Sequence, residues 1–150
     1  MMNKQEQLSL AISIAAQAHN NQYDRGGKPY ILHPLHIMSQ LLFDTQLATI
    51  AVLHDVVEDT SWTTNSLHKN GMSYRVVHAL DLLTHDPEDS YEQYIDKICT
   101  NYDAIRVKRK DLEHNSDISR LKSVGKKDLD RRLKYSKAFV KLGEARKEFV

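Results

Sequence analysis

The chain has 150 residues, 41% of them hydrophobic, with 21 basic and 20 acidic side chains and a formal net charge of +1. This length predicts one domain, 1–150, with a core large enough to need no staples, and the near-neutral charge argues against a nucleic-acid coat protein or a membrane-surface binder. No run of about 18 apolar residues exists, the amino terminus MMNKQEQLSL is too polar for a signal peptide, and the single Cys99 cannot close an intrachain disulfide, so the expected location is a reducing cytoplasm.

Five glycines, three prolines and few alternating apolar stretches favour helices over strands. Leu8, Ala11, Ile12, Ala15 and Ala16 recur at helical spacing and predict a first helix from about Gln5 to Asn20. The stretch YDRGGKPY reads as a loop. Pro34 suits the first turn of a helix and pushes the preceding residue out of the helical region, so His33 is expected at a loop-to-helix junction, with a short helix to about Phe43. Asp44 or Thr45 caps the next helix, expected to run to Glu58–Thr60 and to be apolar on most sides, hence central and buried. Ser73 opens a helix that ends before Pro87. Ser90 and Gln93 form a capping-box pattern for a helix from Tyr91 to about Cys99. A helix from about Asp103 to Ser119 follows, then the loop KSVGKKD and a charged helix from about Leu129. The expected fold is all-α, a bundle of six to eight helices around the buried one.

The central segment IAVLHDVVEDT carries the chemistry. His54 and Asp55 sit in an apolar run, where an imidazole and a carboxylate are costly to bury unless partnered, and a metal ion is a usual partner. Glu58 and Asp59 follow one turn later, on the faces of His54 and Asp55. Near a helix C-terminus each such acid costs about 0.3–1 kcal/mol, so a chain that keeps them uses them. Downstream, Asp111 and Asn115 are four apart and share a helix face. Taken singly these residues have ordinary readings: a junction histidine, a satisfied core histidine, a solvated helix face. Taken in order, His33, His54-Asp55 and Asp111 offer two imidazoles and two carboxylates. That donor set suits Mn²⁺, Fe²⁺ or Zn²⁺ rather than Ca²⁺.

The order of these ligands resembles that of the HD phosphohydrolase superfamily. Three runs, GGKPYILHP, AVLHDVVEDT and VKRKDLEHN, are similar to the hydrolase domain of RelA/SpoT-type alarmone enzymes, and the likeness extends from about Leu10 to Tyr135. The resemblance implies an HD-domain helical bundle. It also implies His33, His54, Asp55 and Asp111 as ligands of one divalent ion, usually Mn²⁺. Glu58 and Asp59 would orient or activate the attacking water, with Tyr30 and Asn115 in the substrate pocket. The implied reaction removes the 3′-diphosphate of (p)ppGpp. Arg25, Lys28 and Lys108 are the candidate phosphate contacts.

Two departures from the family pattern stand out. Asp24 replaces an arginine that packs on guanine, and it can neither stack nor offer a positive charge. Two apolar positions before the downstream aspartate become Arg109 and Lys110. The alternatives are therefore an HD phosphohydrolase acting on another nucleotide or a phosphorylated cofactor, and a non-catalytic nucleotide-binding HD module. His36, His68, His78, His85 and His114 read as structural or exposed, His19 as either a support to the site or a surface residue, and Trp62 and Tyr74 as core or helix-packing residues. The basic run Arg106–Lys110 leads straight into Asp111 and Glu113 and is poor evidence for nucleic-acid binding. The oligomeric state and the role of the charged C-terminal helix stay open.

Overall fold

The computed structural model describes residues 2–117, 121 and 123–150. Among the described residues there are nine α-helices, a final 3₁₀ turn and one isolated β-bridge. The all-α expectation holds, and the helix starts follow their caps. Helix α1 (Lys4–Ala18) opens on a capping box in which the Glu6 N–H donates to Asn3 Oδ1 at 2.8 Å. Helix α2 covers Leu32–Gln40 and α3 covers Thr45–Leu53, capped by Asp44. A single turn, α4 (Val56–Asp59), follows. The chain continues through α5 (Thr64–Lys69), which the periodicity did not signal, and α6 (Tyr74–Leu83), capped by Ser73. Helix α7 (Tyr91–Ile98) starts on the expected Ser90/Gln93 box. Helix α8 spans Tyr102–Asn115 and α9 spans Lys126–Arg146. Helix α8 stops before Ser119, the expected end, which lies outside the described residues.

Helix α3 is the centre of the fold. Every residue from Leu47 to Leu53 is buried, and α1, α2, α6 and α8 pack around it. Ile50, Leu53, Ile37, Leu80, Ile105 and Leu112 are fully enclosed, each contributing roughly 1.5–3 kcal/mol of burial. Helix α9 closes the same core through Ala138 and Leu142.

Three expectations need correction. The central helix does not run on to Thr60: it ends at Leu53, and the His-Asp pair occupies a break before α4. The His54 imidazole Nδ1–H donates to the Ala51 carbonyl at 2.6 Å, taking the acceptor that the next backbone N–H of a continuing helix would use. The His33 expectation also fails, because α2 starts at Leu32 and includes His33. Pro34 sits in the first turn, where a backbone N–H has no intrahelical partner to lose. Tyr74 is 77% exposed and does not belong to the core, whereas Trp62 packs against it.

Candidate metal centre and its cavity

The break between α3 and α4 turns His54 and Asp55 toward residues that arrive from α2 and α8. His54, His33 and Asp111 are buried, and Asp55 is nearly so. One ligand atom from each of His33, His54, Asp55 and Asp111 lies within 4.8 Å of all the others. His33 Nε2 is 2.8 Å from Asp111 Oδ1. His54 Nε2 is 3.0 Å from Asp55 Oδ2 and 3.4 Å from Asp111 Oδ1, yet it aligns with neither as a hydrogen bond and stays buried without a partner.

This arrangement fits a divalent cation. The Ala51 carbonyl can only accept, so His54 carries its proton on Nδ1, and the neutral ring presents the Nε2 lone pair to two carboxylates. Such a contact is repulsive unless a positive charge lies between the groups. The electrostatics agree. Burial alone would lower the His54 pKa, but the adjacent Asp55 and Asp111 raise it well above its usual value, so without a metal the site draws a proton in its place. Burial would raise Asp55, but the His54 imidazolium and the Tyr30 hydroxyl outweigh it and hold the carboxyl at about 2. Burial likewise opposes ionisation of Asp111, and Lys108, His33 and His54 together hold it well below the usual range.

Further side chains fix the ligands in place. The Tyr30 hydroxyl donates to Asp55 Oδ2. Burial and the Asp55 charge raise the Tyr30 pKa, which keeps that donor proton in place. Lys108 Nζ, 2.8 Å from Asp111 Oδ2, and Asn115 Nδ2, 2.9 Å from Asp111 Oδ1, hold the second carboxylate. Behind His33, its Nδ1 shares a 2.7 Å hydrogen bond with His114 Nδ1, and the two rings stack at 9°. His114 was read from the sequence as structural or exposed. It bears directly on a ligand, and its position on α8, three residues after Asp111, was the available signal.

The acidic pair sits beside this cluster. Glu58 Oε1 accepts from the His85 backbone N–H at 2.5 Å, so the loop after α6 clamps it. Burial raises the Glu58 pKa first, and Asp55 and Asp59 add to it against His85 and Lys108. Asp59 Oδ2 accepts from Gln22 Nε2 at 3.2 Å, and Gln22 Oε1 in turn accepts from His19 Nδ1 at 2.8 Å. His19 is therefore a buried support, its ring 5.0 Å from the Tyr30 ring and tilted to it at 55°.

A cavity of about 270 Å³ opens on the centre, with Tyr30, His33 and Asn115 in its wall. The loop YDRGGKPY forms one side. Its Asp24 is a structural residue here: Oδ1 accepts from the Lys28 N–H at 2.9 Å, and Gly27 takes a left-handed φ of 86° to close the turn. Helix α9 forms the opposite side with Asp128, Arg131 and Tyr135, none of which the sequence singled out. Arg25 lines the cavity and reaches across to Asp128 at 2.7 Å. The other two candidate phosphate contacts are elsewhere. Lys28 is exposed and not in the cavity wall, and the Lys108 ammonium is committed to Asp111.

No protein-family model matches the chain. Part of it is 44% identical, over 57 residues, to a guanosine-3′,5′-bis(diphosphate) 3′-pyrophosphohydrolase of Haemophilus influenzae; this is 36% of the chain and 8% of the relative. The protein of the same name from Borreliella burgdorferi is 51% identical over 55 residues, 34% of the chain and 8% of the relative. The bifunctional (p)ppGpp synthase/hydrolase RelA of Mycobacterium tuberculosis is 43% identical over 58 residues, with 37% and 8% covered. The chain thus spans about a tenth or less of the length of these relatives. The structure of a metazoan ortholog of SpoT, described as hydrolysing ppGpp, superposes with a TM-score of 0.75 and 20% identity over 95% of this chain and 92% of that one. The two share one all-α fold. In this fold the break after α3, the first turn of α2 and the C-terminal half of α8 converge on the candidate centre. No described helix is long and apolar enough to cross a membrane.

Proposed function

We propose that the chain is a metal-dependent phosphohydrolase that removes the 3′-diphosphate of (p)ppGpp, with residues 1–150 acting as one catalytic domain in the cytoplasm. The observation that carries this reading is the convergence of four chelating atoms within 4.8 Å beside a cavity large enough for a phosphate-bearing ligand. The partial identity to proteins named as (p)ppGpp 3′-pyrophosphohydrolases supplies the substrate class.

His33, His54, Asp55 and Asp111 would hold the ion, and Mn²⁺ fits their mixed nitrogen and oxygen donors. A bound divalent ion supplies Lewis acidity, lowering the pKa of water and offsetting phosphoryl charge. The chain's own groups do the rest. Tyr30 keeps Asp55 oriented, and Lys108 and Asn115 keep Asp111 oriented. Glu58, its pKa raised by burial, is the group suited to take a proton from the attacking water, while its hydrogen bond from His85 fixes its position. Asp59, held through Gln22 and His19, is the second acid placed to orient that water. Arg25 and Arg131, which share Asp128, are the cations in the cavity wall available to phosphate oxygens.

The test is pyrophosphate release from ppGpp with Mn²⁺ and with EDTA, beside a panel of GTP, dNTPs, nucleoside monophosphates and NADPH. Mn²⁺-dependent release from ppGpp is expected. Turnover of another panel member without ppGpp turnover would retain the metal site and reject the alarmone substrate. Silence throughout would reject the enzyme reading.

A further inference from the structure

Away from the metal centre, α2, α8 and α9 enclose a second cavity of about 300 Å³, lined by Gln40, Phe43, Arg106, Arg109, Lys110 and Arg146 among others. It shares no wall residue with the cavity beside the metal ligands. Its cations are unequal. Arg106 donates to Asp103 at 2.8 Å, and Lys110 lies 3.7 Å from Glu113. Arg109 and Arg146 have no carboxylate within ion-pairing distance among the described residues.

Arg109 is the more informative of the two. Its guanidinium stacks 4.2 Å over the Phe139 ring, and its Nε is buried without a hydrogen-bond partner. Gly143 makes room for it, since a Cβ there would stand 3.3 Å from Arg109 Nη2. The ordinary account of such cations is helix-dipole compensation: Gln40 ends α2 and Arg146 ends α9, and each terminus carries about −0.5 charge. That offsets about one of the two unpaired positive charges and leaves an excess. At the rim, Phe43 is 75% exposed and offers an uncovered aromatic face.

We propose that this cavity binds a phosphate-bearing anion through Arg109 and Arg146, with Phe43 beside it. Guanidinium forks match phosphate oxygens in pairs. Two unpaired forks with a net positive excess suit the several oxygens of a phosphomonoester or pyrophosphate better than the two of a single carboxylate. The phosphoryl group belongs either to a free inorganic anion or to a nucleotide whose ring lies on Phe43. The inference does not depend on the function proposed for the metal centre.

The test is titration calorimetry of the full chain in EDTA with pyrophosphate, GDP and a single-stranded RNA oligonucleotide. One saturable pyrophosphate site is expected that weakens about tenfold or more in both R109Q and R146Q, and is kept in R25Q at the other cavity. GDP binding more tightly than pyrophosphate, with the difference removed by F43A, would identify a nucleotide as the ligand; equal affinities would identify the free anion. Because Arg109 packs on Phe139, the exposed Arg146 provides the variant whose folding is not at issue. The inference is overturned by no saturable binding, by binding that R146Q leaves unchanged, or by RNA binding through these arginines without pyrophosphate binding.

Discussion

His33 and His114, 81 positions apart in the chain, meet Nδ1 to Nδ1 at 2.7 Å. For His33 to offer Nε2 to a metal, its proton must reside on Nδ1, and His114 is the acceptor that keeps it there. Partners of this kind typically account for 10–100-fold in metal affinity. We expect H114F to weaken Mn²⁺ binding by about that factor, and H114N, which keeps an acceptor, to recover part of it. Chelator-competition titrations measure this directly. Unchanged affinity in H114F would remove His114 from the site.

Lys108 belongs to the metal centre's foundation. Its buried ammonium sits 2.8 Å from Asp111 Oδ2 and 5.2 Å from the centre of the Tyr94 ring. Breaking a buried ion pair by removing one partner costs about 3–5 kcal/mol. K108M should therefore be clearly destabilised in EDTA. Mn²⁺ should raise its melting temperature more than it raises the parent's, because the ion replaces the lost positive charge beside Asp111. Thermal melts with and without Mn²⁺ decide the matter. A K108M chain as stable as the parent in EDTA, but with a raised KM, would return Lys108 to the phosphate-contact role.

Glu58 makes a different prediction. It is not among the four clustered residues, and among the described residues its carboxylate accepts from the His85 N–H. E58Q keeps the size of the side chain and loses the base. Metal stoichiometry should stay near one per chain while turnover falls about 10²–10⁴-fold. Loss of metal in E58Q, read by elemental analysis, would make Glu58 a ligand; retained turnover would remove it from the chemistry.

The acid stability of the fold should be sensitive to Arg75. This residue of α6 bridges Asp44 at 2.7 Å, the cap of α3, and Asp103 at 2.9 Å, at the start of α8. Burial pushes both carboxyls up, but the Arg75 hydrogen bonds prevail and hold both below the usual aspartate range. A lowered folded-state pKa gives stability that is complete above the unfolded value, about 3.9, and disappears as pH falls through the folded value. R75Q should cost about 1–2 kcal/mol at neutral pH, allowing for the partial exposure of the arginine. That is roughly 2–4 °C in melting temperature per kcal/mol. The gap between R75Q and the parent should close as pH falls below the unfolded aspartate value and through the lowered folded one. A calorimetric series that shows a constant gap down to pH 2 would contradict the assignment.

The fold was legible where its causes are local. Ser73, Ser90 and Asp44 mark helix starts because a short polar side chain accepts from an N–H three residues on, and the sequence contains both partners. The buried character of α3 is written in the run Leu47–Leu53, apolar except for Thr49, because a helix apolar on most sides has little surface to show to water. The four grouped donors were legible by type and order, and the likeness of three runs to a known family supplied their roles. Residue type and spacing cannot show a contact made through space. Helical periodicity carried the central helix past Leu53, but the His54 ring takes the Ala51 carbonyl and the helix stops there. Arg25 and Lys108 read as free cations until folding placed Asp128 and Asp111 beside them. His114 read as structural or exposed until α8 set it behind His33, and α9 as a charged tail until Asp128, Arg131 and Tyr135 formed a cavity wall. Caps, apolar faces and ligand types are local properties that the order of residues settles. The break at His54, the partners of each charge and the cavity around the centre depend on elements distant in the chain, and only their packing decides them.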